Sequence, residues 1–253
     1  MSSPETPFSL ESYRNALNAG LQSGYRFTRF SDAQLDPPAP GLECLLRHDI
    51  DVSMDYALRM AEVEAEAAIT ATYFVMLRSP AYNLMGRFAS AALRRIVELG
   101  HDVGVHFDAQ HPHIDENNLV ENVLDEARII GDLAERPIRA VSFHQPSAYV
   151  LGADIDVPGL INTYNRRQLR GWHYASDSNR TWKGPPAHEL LAQALHPKLQ
   201  LLIHPMWWVC DAPTTAEVWN QSILRNFEIM QRQFLETEGA YGRERSFSVR
   251  PSA

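Results

Sequence analysis

Carboxylates and imidazoles follow short apolar segments of this 253-residue chain. Asp49 and Asp51 follow the apolar run at 42–46 after Arg47 and His48. Their i, i+2 spacing puts both side chains on one face of an extended chain. Two neighbouring carboxylates repel each other unless a cation or a shared proton lies between them. Carboxylate and neutral imidazole are the usual ligands of catalytic zinc, so one aspartate is expected to bind a metal and the other to stay free as a base. The histidines that end later apolar segments are His106, His144 and His204.

The segments that must position these side chains alternate between strand and helix. Strands are predicted at 42–46, 71–77, 102–105, 140–143 and 199–203, with short ones at 160–163 and 173–175. Helices are predicted at 9–19, 53–68, 88–99, 115–135, 187–195 and 215–235. The repeat of strand and helix predicts a largely parallel sheet in a single α/β domain spanning 1–253, because no linker divides the chain. Functional side chains of such folds collect at the carboxyl ends of the strands, so the aspartates and histidines should converge at one mouth.

Some polar residues of these segments have a plainer explanation. Asp51 could cap the helix that follows it, although Ser53 is already a good cap. His101 lies at a helix-to-strand turn, which predicts a structural role. The side chain of His48 should point to the opposite face from Asp49, although it could support Asp49 from an outer layer of contacts around the site.

Composition and charge exclude several classes of protein. The 23 basic and 31 acidic residues give a net charge of −8, which argues against general nucleic-acid binding. No segment approaches the ~20 uninterrupted apolar residues that a membrane span needs. The first five residues lack the basic start and apolar stretch of an export signal, so a cytoplasmic location is expected. Cys44 and Cys210 are expected to be buried free thiols. Nothing in the sequence predicts an oligomeric state.

Several motifs, taken in order along 42–208, resemble a known family. The first set lies at 45–51 (LLRHDID), 71–75 (ATYFV) and 100–106 (GHDVGVH). These segments resemble the polysaccharide deacetylase superfamily, also known as NodB homology or carbohydrate esterase family 4. The second set lies at 142–147 (SFHQPS), 176–178 (SDS) and 204–208 (HPMWW). It is similar to the WbmS-like branch, which is associated with surface-polysaccharide gene clusters. The resemblance implies a distorted (β/α) barrel of about seven parallel strands.

The resemblance also implies roles for individual residues. The general base of the family falls on Asp49 and its aspartate ligand on Asp51, with one residue inserted between them. Its first metal histidine falls on His106 and its general-acid histidine on His204. Asp177 would orient His204, as an acidic residue does in the family; the alternative is a plain turn residue.

The third metal ligand is less clearly marked. The family places a histidine four residues after the first, and Gln110 stands there in this chain. The Arg-x-Pro motif of the family becomes His144-Gln145-Pro146. We expect His144, at the rigid end of a strand, to replace the missing ligand. His111, one residue late in a loop, is the alternative, and a site that uses neither is the third possibility.

The function implied by the resemblance is metal-dependent hydrolysis of an N-acyl bond, with Zn²⁺ as the expected cofactor. A small amino sugar or nucleotide-linked amino sugar of O-antigen or other surface-polysaccharide metabolism is the expected substrate, because no export signal is visible. Aromatic side chains expected at the pocket are Trp207, Trp208, Tyr149 and Trp182. One of the two adjacent tryptophans should be core, because neighbours in an extended chain point apart. The alternatives are a linear amide or ureide hydrolase of the same superfamily and a sugar-binding protein that has lost catalysis.

Overall fold

A parallel sheet flanked by helices forms the centre of the fold in the computed structural model, which describes residues 8–35 and 38–244. The strands are β1 (Arg26–Thr28), β2 (Glu43–Ile50), β3 (Thr72–Val75), β4 (Asp102–Asp108), β5 (Ala140–His144), β6 (Ile161–Asn162), β7 (His173–Ser176) and β8 (Lys198–Ile203). The α-helices are α1 (Leu10–Gln22), α2 (Met54–Glu66), α3 (Arg87–Glu98), α4 (Leu119–Ala134), α5 (Ala148–Gly152), α6 (Ala187–Ala192), α7 (Pro205–Val209), α8 (Thr215–Thr237) and α9 (Gly239–Glu244). The first five residues, on which the export-signal expectation depends, lie outside the described residues.

The order of the strands around the sheet follows the order of the chain. It runs β6-β5-β4-β3-β2-β8-β7, and β1 pairs with β2 off this path. Every neighbouring pair is parallel. Passing from β2 through β6, and then from β7 through β8, leads back to β2, which is the order of a barrel opened between β6 and β7. The described residues therefore confirm the predicted α/β fold, a distorted (β/α) barrel with about seven parallel strands.

Strand β2 is buried along its whole length, including its charged residues. Leu45 packs with Phe74 inside the curled sheet, whereas Leu46 packs with the helices outside. Because side chains alternate along a strand, Arg47 and Asp49 point inward with Leu45. The sheet interior thus holds charged groups directly below the end of β2.

A glycine on β4 makes room inside the sheet for an aromatic ring. A Cβ atom at Gly104 would lie 2.5 Å from ring atoms of Phe74 and 3.0 Å from the carbonyl oxygen of Ala140. Phe30, in a short 3₁₀ turn, packs edge-on against Phe74 with ring centroids 5.6 Å apart. These rings fill the interior next to Arg47, whose guanidinium carbon lies 5.5 Å from the Phe74 centroid.

The start of α2 is capped as the sequence predicts. The side chain of Ser53 accepts a hydrogen bond from the backbone N–H of Tyr56 at 3.4 Å. The capping role is therefore filled by Ser53, not by Asp51.

Among the strands and α-helices of the described residues, four were not predicted from the sequence: β1, α5, α7 and α9. The expectation that Trp207 and Trp208 lie in extended chain is wrong, because Pro205–Val209 is a helix with proline in its first turn. Cys44 and Cys210 are buried and unpaired, as predicted. Among the described residues, no helix combines the length and the apolar character needed to cross a membrane.

Candidate metal centre and active site

The residues predicted for the site lie together at the carboxyl ends of the strands. Asp51 is the residue after β2, and His204 is the residue after β8. His106 lies near the end of β4, His144 ends β5, and Asp177 directly follows β7. Their convergence follows from the parallel sheet, which brings these strand ends to the same edge.

Asp51, His106 and His144 are close enough to hold one metal ion. Asp51 Oδ1 lies 3.0 Å from His106 Nε2 and 3.3 Å from His144 Nδ1. One ligand atom from each of the three lies within 4.8 Å of the others. Burial alone would raise the pKa of Asp51, but the hydrogen bonds of His106 and His144, together with the charges of His106 and His204, outweigh it and hold that pKa below its ordinary value. The same contact with Asp51, against the opposing effect of burial, raises the pKa of His144.

His111, the alternative ligand, is not part of this group among the described residues. Its ring packs near His113, with centroids 5.6 Å apart. Gln110, which takes the family's ligand position, donates a hydrogen bond from Nε2 to the carbonyl oxygen of Gln145 at 2.8 Å. The geometry therefore favours His144 over His111.

The hydrogen bonds around His106 show that the site suits a cation. Ser142 Oγ donates to Asp49 Oδ2 at 3.0 Å, so its only proton is used. His106 Nδ1, 3.1 Å from the same Oγ, must then donate to it. A neutral His106 ring consequently presents an unprotonated Nε2 to the carboxylate of Asp51. Two acceptors 3.0 Å apart require a proton or a metal ion between them.

Arg47 is the partner of Asp49, and the sequence interpretation missed it. Its guanidinium donates from Nε to Oδ1 at 3.2 Å and from Nη2 to Oδ2 at 2.8 Å. Arg47 is fully buried and Asp49 is 2% exposed. Burial alone would raise the pKa of Asp49, but the charge and hydrogen bonds of Arg47, together with the charges of His106 and His204, outweigh it and lower that pKa. The i, i+2 spacing of Arg47 and Asp49 was the available signal, since it puts both on the inner face of β2.

Asp177 holds His204 in one orientation. Its Oδ1 accepts from His204 Nδ1 at 2.6 Å, and its Oδ2 accepts from the Trp208 indole N–H at 2.7 Å. Both oxygens also face the backbone N–H of His204. Burial alone would lower the pKa of His204, but the charge and hydrogen bond of Asp177, together with the charges of Asp51 and Asp49, outweigh it and raise that pKa to about 9. Asp177 is completely buried, and its carboxylate oxygens contact His204 and Trp208.

The second ring nitrogen of His204, Nε2, faces the group of possible metal ligands. Its Nε2 lies 3.9 Å from Asp51 Oδ2, while Nδ1 is held by Asp177. A histidine held in this way can give or take a proton only at Nε2. The exchangeable proton therefore faces the three possible metal ligands.

The four predicted pocket aromatics differ in their surroundings. Trp207 and Trp208 are 4% and 6% exposed and belong to the core, so the structure buries both. Trp182 is partly buried against the same core. Tyr149 on α5 is 37% exposed. Of the four, Tyr149 has the most surface free for contact.

Two other histidines lie on the opposite side of the sheet. His48 faces away from Asp49, as predicted, and its Nε2 lies 2.6 Å from Glu64 Oε1. His101 accepts from the Ala71 N–H at 3.2 Å, and its Nε2 lies 2.9 Å from the carbonyl oxygen of Ala61. Both rings are buried in contacts between the sheet and α2.

Comparisons with known proteins find similar solved structures. A family 4 carbohydrate esterase pseudoenzyme from Bacillus anthracis is 16% identical, with a TM-score of 0.40, over 73% of this chain and 60% of that one. A family 4 acetyl xylan esterase from Clostridium thermocellum, in complex with a cobalt ion, is 12% identical, with a TM-score of 0.42, over 74% of this chain and 84% of that one. A polysaccharide deacetylase from Bacillus cereus is 15% identical, with a TM-score of 0.43, over 76% of this chain and 89% of that one.

Two of these neighbours are named as members of carbohydrate esterase family 4. The chain spans 60% of the length of the pseudoenzyme. The three are described respectively as a pseudoenzyme, an esterase and a deacetylase. No family model matches the chain, and no curated protein matches it.

Proposed function

We propose that this chain is a metal-dependent hydrolase of an N-acyl bond on an amino sugar, within the WbmS-like branch of the polysaccharide deacetylase superfamily. The observation that carries the proposal is the grouping of Asp51, His106 and His144 between two further polar systems. On one side lies Asp49, fixed by Arg47. On the other lies His204, fixed by Asp177.

Asp51, His106 and His144 would hold the cation. One carboxylate and two imidazoles form a three-ligand set that suits catalytic Zn²⁺ and leaves a position open. When bound there, the ion supplies Lewis acidity toward a carbonyl oxygen and a water molecule. The remaining chemistry belongs to protein side chains.

His204 acts as the general acid in this proposal. Its raised pKa, about 9, keeps it protonated at neutral pH. Asp177 holds Nδ1, so the proton leaves from Nε2 toward the departing amine. The buried carboxylate of Asp177 then stabilises the orientation of the ring through the reaction.

Asp49 acts as the general base in this proposal. The Arg47 charge and the Ser142 hydroxyl keep its carboxylate ionised and fixed in the interior. It accepts the proton of the attacking water. Two ionisable groups in different surroundings thus divide the acid and base roles.

The substrate part of the proposal rests on the motifs at 142–147 and 204–208. We infer a small N-acylated amino sugar or its nucleotide-linked form, used in cytoplasmic steps of surface-polysaccharide metabolism. Tyr149 is the aromatic side chain offered for contact with the sugar, since the two tryptophans of α7 are buried.

The experiment is a substrate panel on purified protein reconstituted with Zn²⁺. It compares N-acetylated nucleotide sugars, free N-acetyl amino sugars, an amino-sugar polymer and a linear ureide, with release of carboxylate or amine as the readout. Turnover of the small amino-sugar amides, and its loss in His106→Ala, supports the proposal. Turnover of the polymer alone or of the ureide alone would contradict the proposed class of substrate. Metal in less than about a tenth of reconstituted chains overturns the hydrolase itself.

A further inference from the structure

Ser142 on β5 lies beside His106 on β4 because the two are register partners in the parallel sheet. Both side chains are buried, at 0% and 2% exposure. Inward-facing partners on adjacent strands are near neighbours, so the contact between them is set by strand pairing and not by a loop. Asp49 comes from β2, beyond β3, and reaches the same hydroxyl across the interior.

The hydroxyl of Ser142 has its full set of hydrogen bonds. It donates to Asp49 Oδ2 at 3.0 Å, and it accepts from Arg47 Nη2 at 2.8 Å and from His106 Nδ1 at 3.1 Å. A hydroxyl has one proton and two lone pairs, so these three contacts use all of its hydrogen-bonding capacity. The proton goes to Asp49 because an ionised carboxylate can only accept.

This arrangement fixes the state of His106. Nδ1 must carry a proton, which leaves Nε2 as the atom available to a metal ion. The direct distance from His106 Nδ1 to Asp49 Oδ2 is 3.8 Å, too long for a hydrogen bond. Ser142 therefore links His106, a proposed ligand, to Asp49, the proposed base, although these two residues form no direct hydrogen bond.

We propose that Ser142 is a positioning residue that holds His106 with Nδ1 protonated and Nε2 free for a metal ion, and that couples this ligand to Asp49. The proposal deepens the proposed function and rests on it for the identity of the bound ion. Partners of the second nitrogen of a ligating histidine set its orientation, and their loss commonly costs 10–100-fold in metal affinity.

The first test compares three variants of the full chain for zinc affinity, measured by competition with a chelator. Ser142→Ala should weaken binding by roughly 10–100-fold, and Ser142→Thr, which keeps the hydroxyl, should restore most of it. Ser222→Ala is the matched control. Ser222 is also fully buried, but its hydroxyl donates to the Val218 carbonyl on α8 at 2.7 Å. Equal zinc affinity in wild type and Ser142→Ala would overturn the proposal.

The second test reads the proton directly and needs no variant to fold. Long-range ¹H–¹⁵N spectra of histidine-labelled wild-type protein, metal-free and zinc-loaded, should show a proton on His106 Nδ1 in both. A neutral ring protonated only at Nε2 would overturn the role of Ser142. If wild type binds no zinc at all, the proposed function fails, while the metal-free spectrum still decides the role of Ser142.

Discussion

Asp49 and Asp51 stand two residues apart, yet their surroundings differ sharply. Both oxygens of Asp49 accept hydrogen bonds from Arg47, and one also accepts from Ser142. Asp51 faces imidazole nitrogens instead. A base and a ligand should respond differently when the carboxylate becomes an amide of the same shape.

Asp49→Asn should keep near-normal zinc content and lose most of kcat, by roughly 10²-fold or more, because an amide cannot accept the proton. Asp51→Asn should lower zinc occupancy, and excess zinc should partly restore the rate. Metal analysis and steady-state kinetics of the two variants check this. If Asp49→Asn loses metal while Asp51→Asn keeps it and is inactive, the two roles are exchanged.

The two candidate third ligands can be separated in the same way. His144→Ala should lose zinc, as His106→Ala should, because His144 Nδ1 lies 3.3 Å from Asp51 Oδ1. His111→Ala is the control and should keep both zinc and turnover. Metal content measured after dialysis against a weak chelator gives the ranking, and the opposite order for His144 and His111 would refute the ligand assignment.

Residue patterns predicted which side chains meet but not how they are held. Spacing and strand ends were enough to bring Asp51, His106 and His144 together. Ser142 escaped notice because a serine inside an apolar strand carries no signal of its own, and the one signal for Arg47, its i, i+2 spacing from Asp49, was not used. Their importance depends on the folded sheet, whose interior brings together two residues 95 positions apart.

The strands were easier to predict than the short helices that connect them. The predicted strands at 140–143 and 199–203 differ by one residue from β5 and β8 as observed. The short helices α5 and α7 were missed because one or two turns leave too little periodicity to read. Helix α7 matters most, since it turns the tryptophans after His204 into the core.

Helix α4 carries a buried acid that should make folding depend on pH. Burial raises the pKa of Glu126 to about 7, although Arg78 Nε, 3.0 Å from Oε1, opposes the shift. A folded pKa above the unfolded value means that this stabilisation is complete below about pH 4 and is lost as pH rises through about 7. Stability should therefore fall with rising pH because of this group.

Glu126→Gln should remove that part of the pH dependence. Urea unfolding at about pH 5 and about pH 8 should show a difference between the two pH values that is smaller than in wild type by roughly 2 kcal/mol. Glu121→Gln, an exposed change on the same helix, is the control and should leave the difference unchanged. An unchanged pH dependence in Glu126→Gln would show that Glu126 is ionised in the folded protein throughout this range.

At the scale of the whole molecule, the three proposed metal ligands come from strands that are far apart in the sequence of an open barrel. Asp51 follows β2, His106 lies on β4 and His144 ends β5. Among the described residues, β6 and β7 do not pair with each other. The three ligands are 93 residues apart from first to last, and they meet only when β2 through β5 are assembled. An ion that binds this group binds the folded state alone.

Zinc should consequently raise the thermal stability of the whole domain. At a free concentration 100 times Kd, the stabilisation is about 2.7 kcal/mol, which for a chain of this size corresponds to a rise in Tm of roughly 5–11 °C. Thermal unfolding with increasing zinc should show this rise in wild type and in His111→Ala. His106→Ala and His144→Ala should show little or none, because each leaves only two ligands. A rise of the same size in all four proteins would place the ion elsewhere, and the hydrolase proposal would lose its metal centre.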